Sequence, residues 1–430
     1  MTELAPQPTQ TALRQLVEAR LKGRHAKEAR FRNYGRAAIF IALAFLAILL
    51  GRIISQGYST FIDYQLTTSV YVDPARVDRQ DIAGANLDLM IADQMLVRLG
   101  VKEDDYGTKS GKIMELLSND LGYQLLAKVK ADPSLIGKSV MLKGPVRSDG
   151  ALYFKGEIKR SSPEGERKLD NEQLGWLDAM RAKGLINRQF NTGFFTHSDS
   201  TEPEQAGVLG AVVGSAMMLF VTALLAVPIG VLAATYLEEF GAKNRWTDFV
   251  EVNINNLAAV PSIVYGLLGL AVFINWLHVP RSSPLLGGLV LALMALPTVI
   301  IATRSALRAV PPSIREAALG VGASPTQTVF HHVLPLAMPG VMTGAILSLA
   351  HALGETAPLL MIGMISFVPG VPESLTGSAT VLPVQVFIWE NASERGFHER
   401  TAGAIMVLLT FMIVMNLAAI LVRRRFERRW

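Results

Sequence analysis

The side chains best suited to chemistry in this sequence sit inside stretches that are otherwise apolar. Glu355 is a lone carboxylate in such a run, with His351 four residues earlier on the same helical face and Ser348 a further turn back. An acid and an imidazole at that spacing can share a proton or hold a polar solute. Charge in hydrocarbon is expensive, so it faces either a pathway or a partner, and an acid paired across a helix interface is the competing reading. In another run Asn253, Asn255 and Asn256 precede Pro261-Ser262, and Tyr265 follows. Arg304 and Arg308, also four apart, close a third, where snorkelling to the headgroups accounts for them. Ser262, Tyr265, His351, Glu355 and Thr356 are therefore the candidate pathway residues. By themselves they select no particular solute.

Several chemistries are excluded or unsupported. There is no cysteine, hence no disulfide and no thiolate metal site. The phosphate-loop pattern G-x-x-x-x-G-K-[ST] does not occur, and the nearest string, at residues 107–112, has the wrong spacing. No nucleophile-base arrangement or metal-ligand spacing stands out, so no catalytic residue, cofactor or metal is expected, and any energy source must be another chain. The formal charge of +5 gathers at the margins of apolar runs, as a membrane orientation signal rather than a nucleic-acid footprint.

A different kind of signal lies between two apolar runs, from Pro311 to Pro335. Ser313 followed three residues later by Glu316 reads as a capping box opening a short helix. Gly320 and Gly322 end it, Ser324 and Pro325 supply an N-cap and a first-turn proline for a second helix, and Leu334-Pro335 predicts a second stop. Two short helices about a glycine turn also describe a DNA-reading motif. Tethering at both ends to membrane helices makes docking into a partner's cleft the better reading.

The elements that must position these residues follow from length and composition. A span needs roughly 20 apolar residues, and six stretches qualify: 37–54, 208–237, 250–277, 286–301, 339–362 and 401–422. The first follows a long basic tail and precedes no small-residue cleavage site, which favours an uncleaved anchor over a signal peptide. Arg and Lys crowd both ends, including Arg14, Arg20, Lys22, Arg24, Lys27, Arg30, Arg32 and Arg36 before it, and Arg423, Arg424, Arg425, Arg428 and Arg429 at the other end. Both termini are thus expected in the cytoplasm, residues 308–338 inside, and residues 55–207 outside. That outer interval mixes charges of both signs and reads as a folded α/β domain: helical spacing over 87–99 and 113–129, and a hairpin from 140–143 and 151–158. Lys159-Arg160 and Arg167-Lys168 within it could attract an anion, yet neighbouring Glu157, Glu164 and Glu166 make solvated surface charge the expectation. The fold class expected is mainly α, a polytopic membrane protein of six transmembrane helices with a mixed α/β exported domain. Its parts are a basic tail (1–36), an anchor (37–54), the soluble domain (55–207), a membrane domain (208–422) and a second basic tail (423–430).

Two sets of motifs resemble known families. Glu316-Ala317-Ala318, Gly322 and Leu334-Pro335 resemble the EAA loop of ABC importer permeases, with His332 standing where that pattern has an aliphatic residue. The resemblance implies that Glu316, Ala317, Ala318, Gly322, Leu334 and Pro335 belong to coupling helices that seat in a separate ATPase. The segments 260–267, 354–359 and 382–386 resemble phosphate permease subunits of the PstA family, although relatives often carry Arg where this chain has His351. That implies a five-span ABC type-1 core behind the anchor, in a bacterial inner membrane with residues 55–207 periplasmic. It also implies a PstC-like second permease, a PstB-like ATPase dimer and a PstS-like periplasmic phosphate-binding protein as partners. The alternatives are a permease for sulfate, molybdate or phosphonate, a membrane-anchored sensor, or an exported enzyme on an anchor that leaves five spans without a purpose.

Overall fold

The computed structural model describes residues 10–79, 81–102, 105–242 and 244–426. Residues 1–9 of the basic tail, and Arg428 and Arg429, lie outside these. The chain divides into two compact units, residues 1–55 and 56–430. In the first, helix α1 (Gln10–Gly57) carries the 37–54 run, and its apolar side chains, Phe40, Phe45 and Ile48 among them, are exposed. An apolar helical stretch of that length is suited to lipid.

The second unit opens with an α/β region. Its sheet is three-stranded and antiparallel in the order β2-β1-β3, from β1 (Ile62–Tyr71), β2 (Ser139–Pro145) and β3 (Ile186–Phe190). Tyr71 faces Ser139 in one pairing and Leu66 faces Ile186 in the other. Alternation along β1 turns Leu66, Thr68 and Val70 inward. Against the sheet pack α2 (Leu87–Leu99), α4 (Asp120–Ala131), α5 (Ser148–Lys155) and α6 (Asn171–Ala182), with α3 (Tyr106–Met114) against α2, and together they contribute Met90, Ile113, Leu121, Ala151, Leu174 and Leu177 to one core. Helix α2 has the expected limits because Asn86 caps its start and Gly100, left-handed, ends it.

Two expectations for this region fail. Residues 151–158 are not a strand: Ala151-Leu152-Tyr153-Phe154 lack the polar alternation of a half-buried strand and lie in α5, while β2 pairs with β1 instead. The 113–129 helix is two, since the chain breaks at Leu117 to bridge Val146. The apolar stripe survives the break, with Leu116, Leu117, Leu121 and Leu125 all buried.

A short turn, α7 (Gly193–Thr196), leads to the apolar helices: α8 (Leu209–Thr235), α9 (Arg245–Ala258), α10 (Ser262–Leu268) and α11 (Pro284–Arg308). After them come α12 (Pro312–Gly320), α13 (Pro325–Gln327), α14 (Leu334–Gly354), α15 (Ala357–Met361), α16 (Leu382–Glu390) and α17 (Arg395–Phe426). Among the described residues five helices are long and apolar enough to cross a membrane, or six if the pair bent by 104° between Ala258 and Ser262 counts as one span. That bend replaces the straight helix expected over 250–277, because Pro261 lacks an N–H and pushes the preceding residue out of the helical region. The expected 339–362 run is likewise broken: α14 stops at Gly354, and Glu355 is extended.

Small residues let helices α11 and α14 touch. A Cβ at Gly340 would meet the methyl of Ala306, and one at Gly344 the methyl of Ala302. The Gly340/Gly344 spacing is thus a packing device, as such spacings are in membrane helices.

Candidate functional site

Helix α12 begins at Pro312 with Pro311 as its N-cap residue and no side-chain cap, so the expected Ser313–Glu316 capping box is not formed. Proline at the first helical position moves the start two residues earlier and places Ser313 inside the first turn. The glycine turn is as expected. Gly322 has φ +90°, Gly322 N–H donates to Leu319 O (2.9 Å) and Ala323 N–H to Ala318 O (3.1 Å), the paired bonds of a Schellman ending. Ser324 then caps the next helix in a reciprocal box with Gln327, and Pro325 takes the first position.

Leu334-Pro335 does not stop that second helix. The chain runs helically from Pro325 to Gly354 through a wide π turn at Thr328–Val333. A π turn removes the close carbonyl one turn back that a proline ring would strike. Within it Val333 is fully buried while His332 points outward, so the apolar position is filled one residue along from the irregular one.

The turn is mounted rigidly and presented outward. Arg315 grips the end of α11, donating to Val310 O (2.9 Å) and Leu307 O (3.0 Å), and makes a two-pronged pair with Glu239 at 2.6 and 3.0 Å. Those contacts hold the Arg315 guanidinium above its ordinary range, the Glu239 hydrogen bonds contributing most. Beside it, Arg304 bonds Glu238 (3.1 Å) and Glu251 (2.9 Å), and Arg308 bonds Glu238 (2.9 Å). The two arginines expected to snorkel instead tie α9 and α11 to the π turn, Tyr236–Phe240, that continues α8. Of their pairs only Arg304–Glu238, 11% and 18% exposed, is mostly buried, and removing one member of such a pair costs on the order of 3–5 kcal/mol. Glu316, Ala317 and Gly322 are exposed, Ala318 is buried, and Leu334 and Pro335 are half-buried. Apolar Leu319, Val321 (86% exposed) and Phe330 lie open on the same segment.

The pathway candidates fall in two groups. His351 Nε2 lies 3.3 Å from Glu355 Oε1, with side chains 72% and 20% exposed. Glu355 and Thr356 occupy the break between α14 and α15 rather than the middle of a helix, and Ser348 is buried with its hydroxyl 3.3 Å from Ala295 O. The second group, Ser262 and Tyr265, is on α10, which is packed against α15 so closely that a Cβ at Gly266 would overlap Pro358. Tyr265 is buried and donates to Leu257 O (2.8 Å) across the bend, which spends its hydroxyl on structure. Both breaks in the membrane helices therefore lie in elements that touch, α10 and α15. Broken helices expose backbone groups where a polar solute can use them.

Arg315, Glu238, Glu239 and Glu251 were not singled out from the sequence. Their signal was the adjacent acids at 238–239 between two expected spans, with Arg304 and Arg308 at the end of a third.

The α/β region is rooted on the membrane helices by buried polar contacts. Trp389 Nε1 donates to Asp199 Oδ1 (2.9 Å), Lys155 pairs with Glu399 (2.5 Å), and Arg400 donates to Glu204 O (3.3 Å). Burial drives Lys155 below its ordinary range and raises Asp63 and Asp199. Glu204, 7% exposed, is raised by burial to about 7.

Residues 18–164 match the family described as Domain of unknown function (DUF3333), and residues 226–430 match Binding-protein-dependent transport system inner membrane component. The phosphate transport system permease protein PstA 1 of Mycobacterium tuberculosis is 34% identical over 259 residues, 60% of this chain and 83% of that one. The PstA protein of Pasteurella multocida is 31% identical over 217 residues, 50% of this chain and 76% of that one. A solved structure of the MetNI methionine ABC transporter, inward facing, is similar at a TM-score of 0.43 and 18% identity over 51% of this chain and 95% of that one.

Proposed function

This chain belongs to the PstA family of binding-protein-dependent permeases, and from that premise we propose that it is the membrane-spanning subunit of an ATP-driven importer of inorganic phosphate. It is a transport component, not an enzyme. The observation that carries the reading is the 34% identity to a phosphate permease over 83% of that protein's length. In the proposed complex, a PstC-like permease stands beside this one, a PstB-like ATPase dimer lies below, and a PstS-like binding protein delivers phosphate from outside. Six spans are proposed, with the bent α9–α10 pair counted as one, both termini cytoplasmic and residues 55–207 periplasmic.

The outward presentation of Glu316, Ala317, Gly322 and Val321 supports docking of the 308–338 loop into the ATPase. The Arg315–Glu239 pair and the Arg304 network would carry its displacement into α8, α9 and α11 without slack. For the path, the touching breaks at α10 and α15 support Ser262, His351, Glu355 and Thr356 as groups that meet the solute. Tyr265 takes a positioning role in this scheme. A binding protein that selects the anion leaves the path with only weak anion chemistry to supply.

Uptake of labelled phosphate in a deletion strain tests this. Glu355→Gln combined with His351→Ala should abolish uptake while the ATPase still co-purifies; undiminished uptake would remove these residues from the path. Excess sulfate, molybdate or phosphonate should leave phosphate uptake unchanged, and competition by one of them would reassign the solute.

A further inference from the structure

Four basic residues in the α/β region were expected to be solvated surface charge, and the fold separates them into two kinds. Arg160 is paired with Asp178 at 3.2 Å and Lys168 with Asp149 at 3.7 Å. Lys159 and Arg167 instead line a cleft of about 500 Å³, together with Ser162 and with Arg395, the first residue of α17. Among the described residues neither Lys159 nor Arg395 makes an ion pair. One carboxylate, Glu157, also lines the cleft.

Arg167 is the decisive member. Its side chain is 3% exposed, and its Nε and Nη1 are buried without a hydrogen-bond partner among the described residues. Nη2 alone is engaged, donating to Asn171 Oδ1, with the Glu164 carboxylate a distant 3.9 Å away. A guanidinium cannot shed its proton to escape burial, and native folds satisfy buried donors. Two unsatisfied N–H-bearing nitrogens on a permanent cation, with two further cations and a hydroxyl on the same cleft wall, describe a site for an oxygen-rich anion.

We propose that this cleft binds a phosphate group. Lys159 and Arg395 supply the rim charge, Ser162 a hydroxyl donor, and Arg167 the buried donors that fix the oxygens. Arg395 opens α17 at the end away from the arginine-rich C-terminal end, so the cleft is proposed to lie near the outer membrane surface, within reach of both free phosphate and a lipid headgroup. The cleft shares no lining residue with α10 or α15, and the proposal does not require phosphate to be the transported solute.

The full chain, purified without any binding protein, tests the proposal in two arms. In phosphatidylcholine nanodiscs, inorganic phosphate is titrated against chloride at matched ionic strength and read by ³¹P line broadening. In a phosphate-free arm, discs containing phosphatidylglycerol are compared with phosphatidylcholine alone, and retained lipid is read by native mass spectrometry. Arg167→Gln should weaken whichever ligand binds by at least tenfold. Because Arg167 is buried, Arg395→Gln and Lys159→Gln, at exposed positions, should each weaken it several-fold with unchanged unfolding temperature. A response in the first arm assigns free phosphate, and one in the second assigns the headgroup. No saturable binding in either arm, or binding unaltered by all three variants, overturns the site.

Discussion

Gly320 and Gly322 offer a test in which backbone conformation is the only variable. A Cβ added at either glycine meets nothing within 4 Å, so neither substitution clashes inside the subunit. Gly320 closes α12 in helical conformation, whereas Gly322 has φ +90°. Alanine at 320 should therefore be neutral or stabilise the loop by roughly 0.5–1 kcal/mol, since glycine gives up more freedom in a helix. Alanine at 322 must hold a left-handed conformation costing about 1–2 kcal/mol. The free loop can relax to avoid that strain, while the docked loop cannot. The ATPase dissociation constant should thus rise about 5- to 30-fold for Gly322→Ala, as 1.4 kcal/mol is tenfold. Gly322→Asn, with a residue that tolerates this conformation, should fall between. The assay is surface-immobilised permease in nanodiscs with the purified ATPase titrated over it. Equal losses at 320 and 322 would mean that the partner simply rejects a methyl on that face. No loss at 322 would remove the turn from the docking surface.

Two further outcomes are expected. Glu204, ordinarily near 4.5 and raised to about 7, binds a proton in the folded chain between those values that the unfolded chain has released. Its contribution to stability is therefore complete below about pH 4.5 and is lost as pH passes 7, by on the order of 3 kcal/mol. Glu204→Gln should flatten the fall in unfolding midpoint between pH 5 and pH 8, and an unchanged slope would place the titration elsewhere. Separately, Gly344→Val should lower stability by about 1–3 kcal/mol through overpacking against Ala302. Ala302→Gly in the same chain should restore part of it; additive losses in detergent unfolding would argue against the contact.

Local signals predicted local structure well. Asn86 and Gly100 bound α2, and Gly322 marks the Schellman turn, because capping is decided within a few residues. The apolar runs were legible because length and composition suffice to identify them. The Ser313 box lies two positions past the true N-cap, since Pro312 takes the first helical position of that turn. Pro335 was misread because a π turn absorbed it, and nothing in a proline announces that. Arg304, Arg308 and Arg315 find carboxylates 53 to 76 residues away, so their roles depend on how α8 and α11 pack rather than on their own neighbours in the chain. The same holds for Arg167, whose burial separates it from the adjacent Lys168.

The Lys155–Glu399 pair has a consequence for the order in which the protein is made. Its two members are 244 residues apart, and at about 5–20 residues per second the ribosome needs on the order of tens of seconds to travel between them. During that time the α/β region has been translated but not the helix that completes its underside. Lys155, Asp199 and Glu204 can remain hydrated until α16 and α17 arrive, and only then lose their water. The last helices thus complete the burial of these groups, and a chain that stops before them leaves Lys155, Asp199 and Glu204 without Glu399, Trp389 and Arg400.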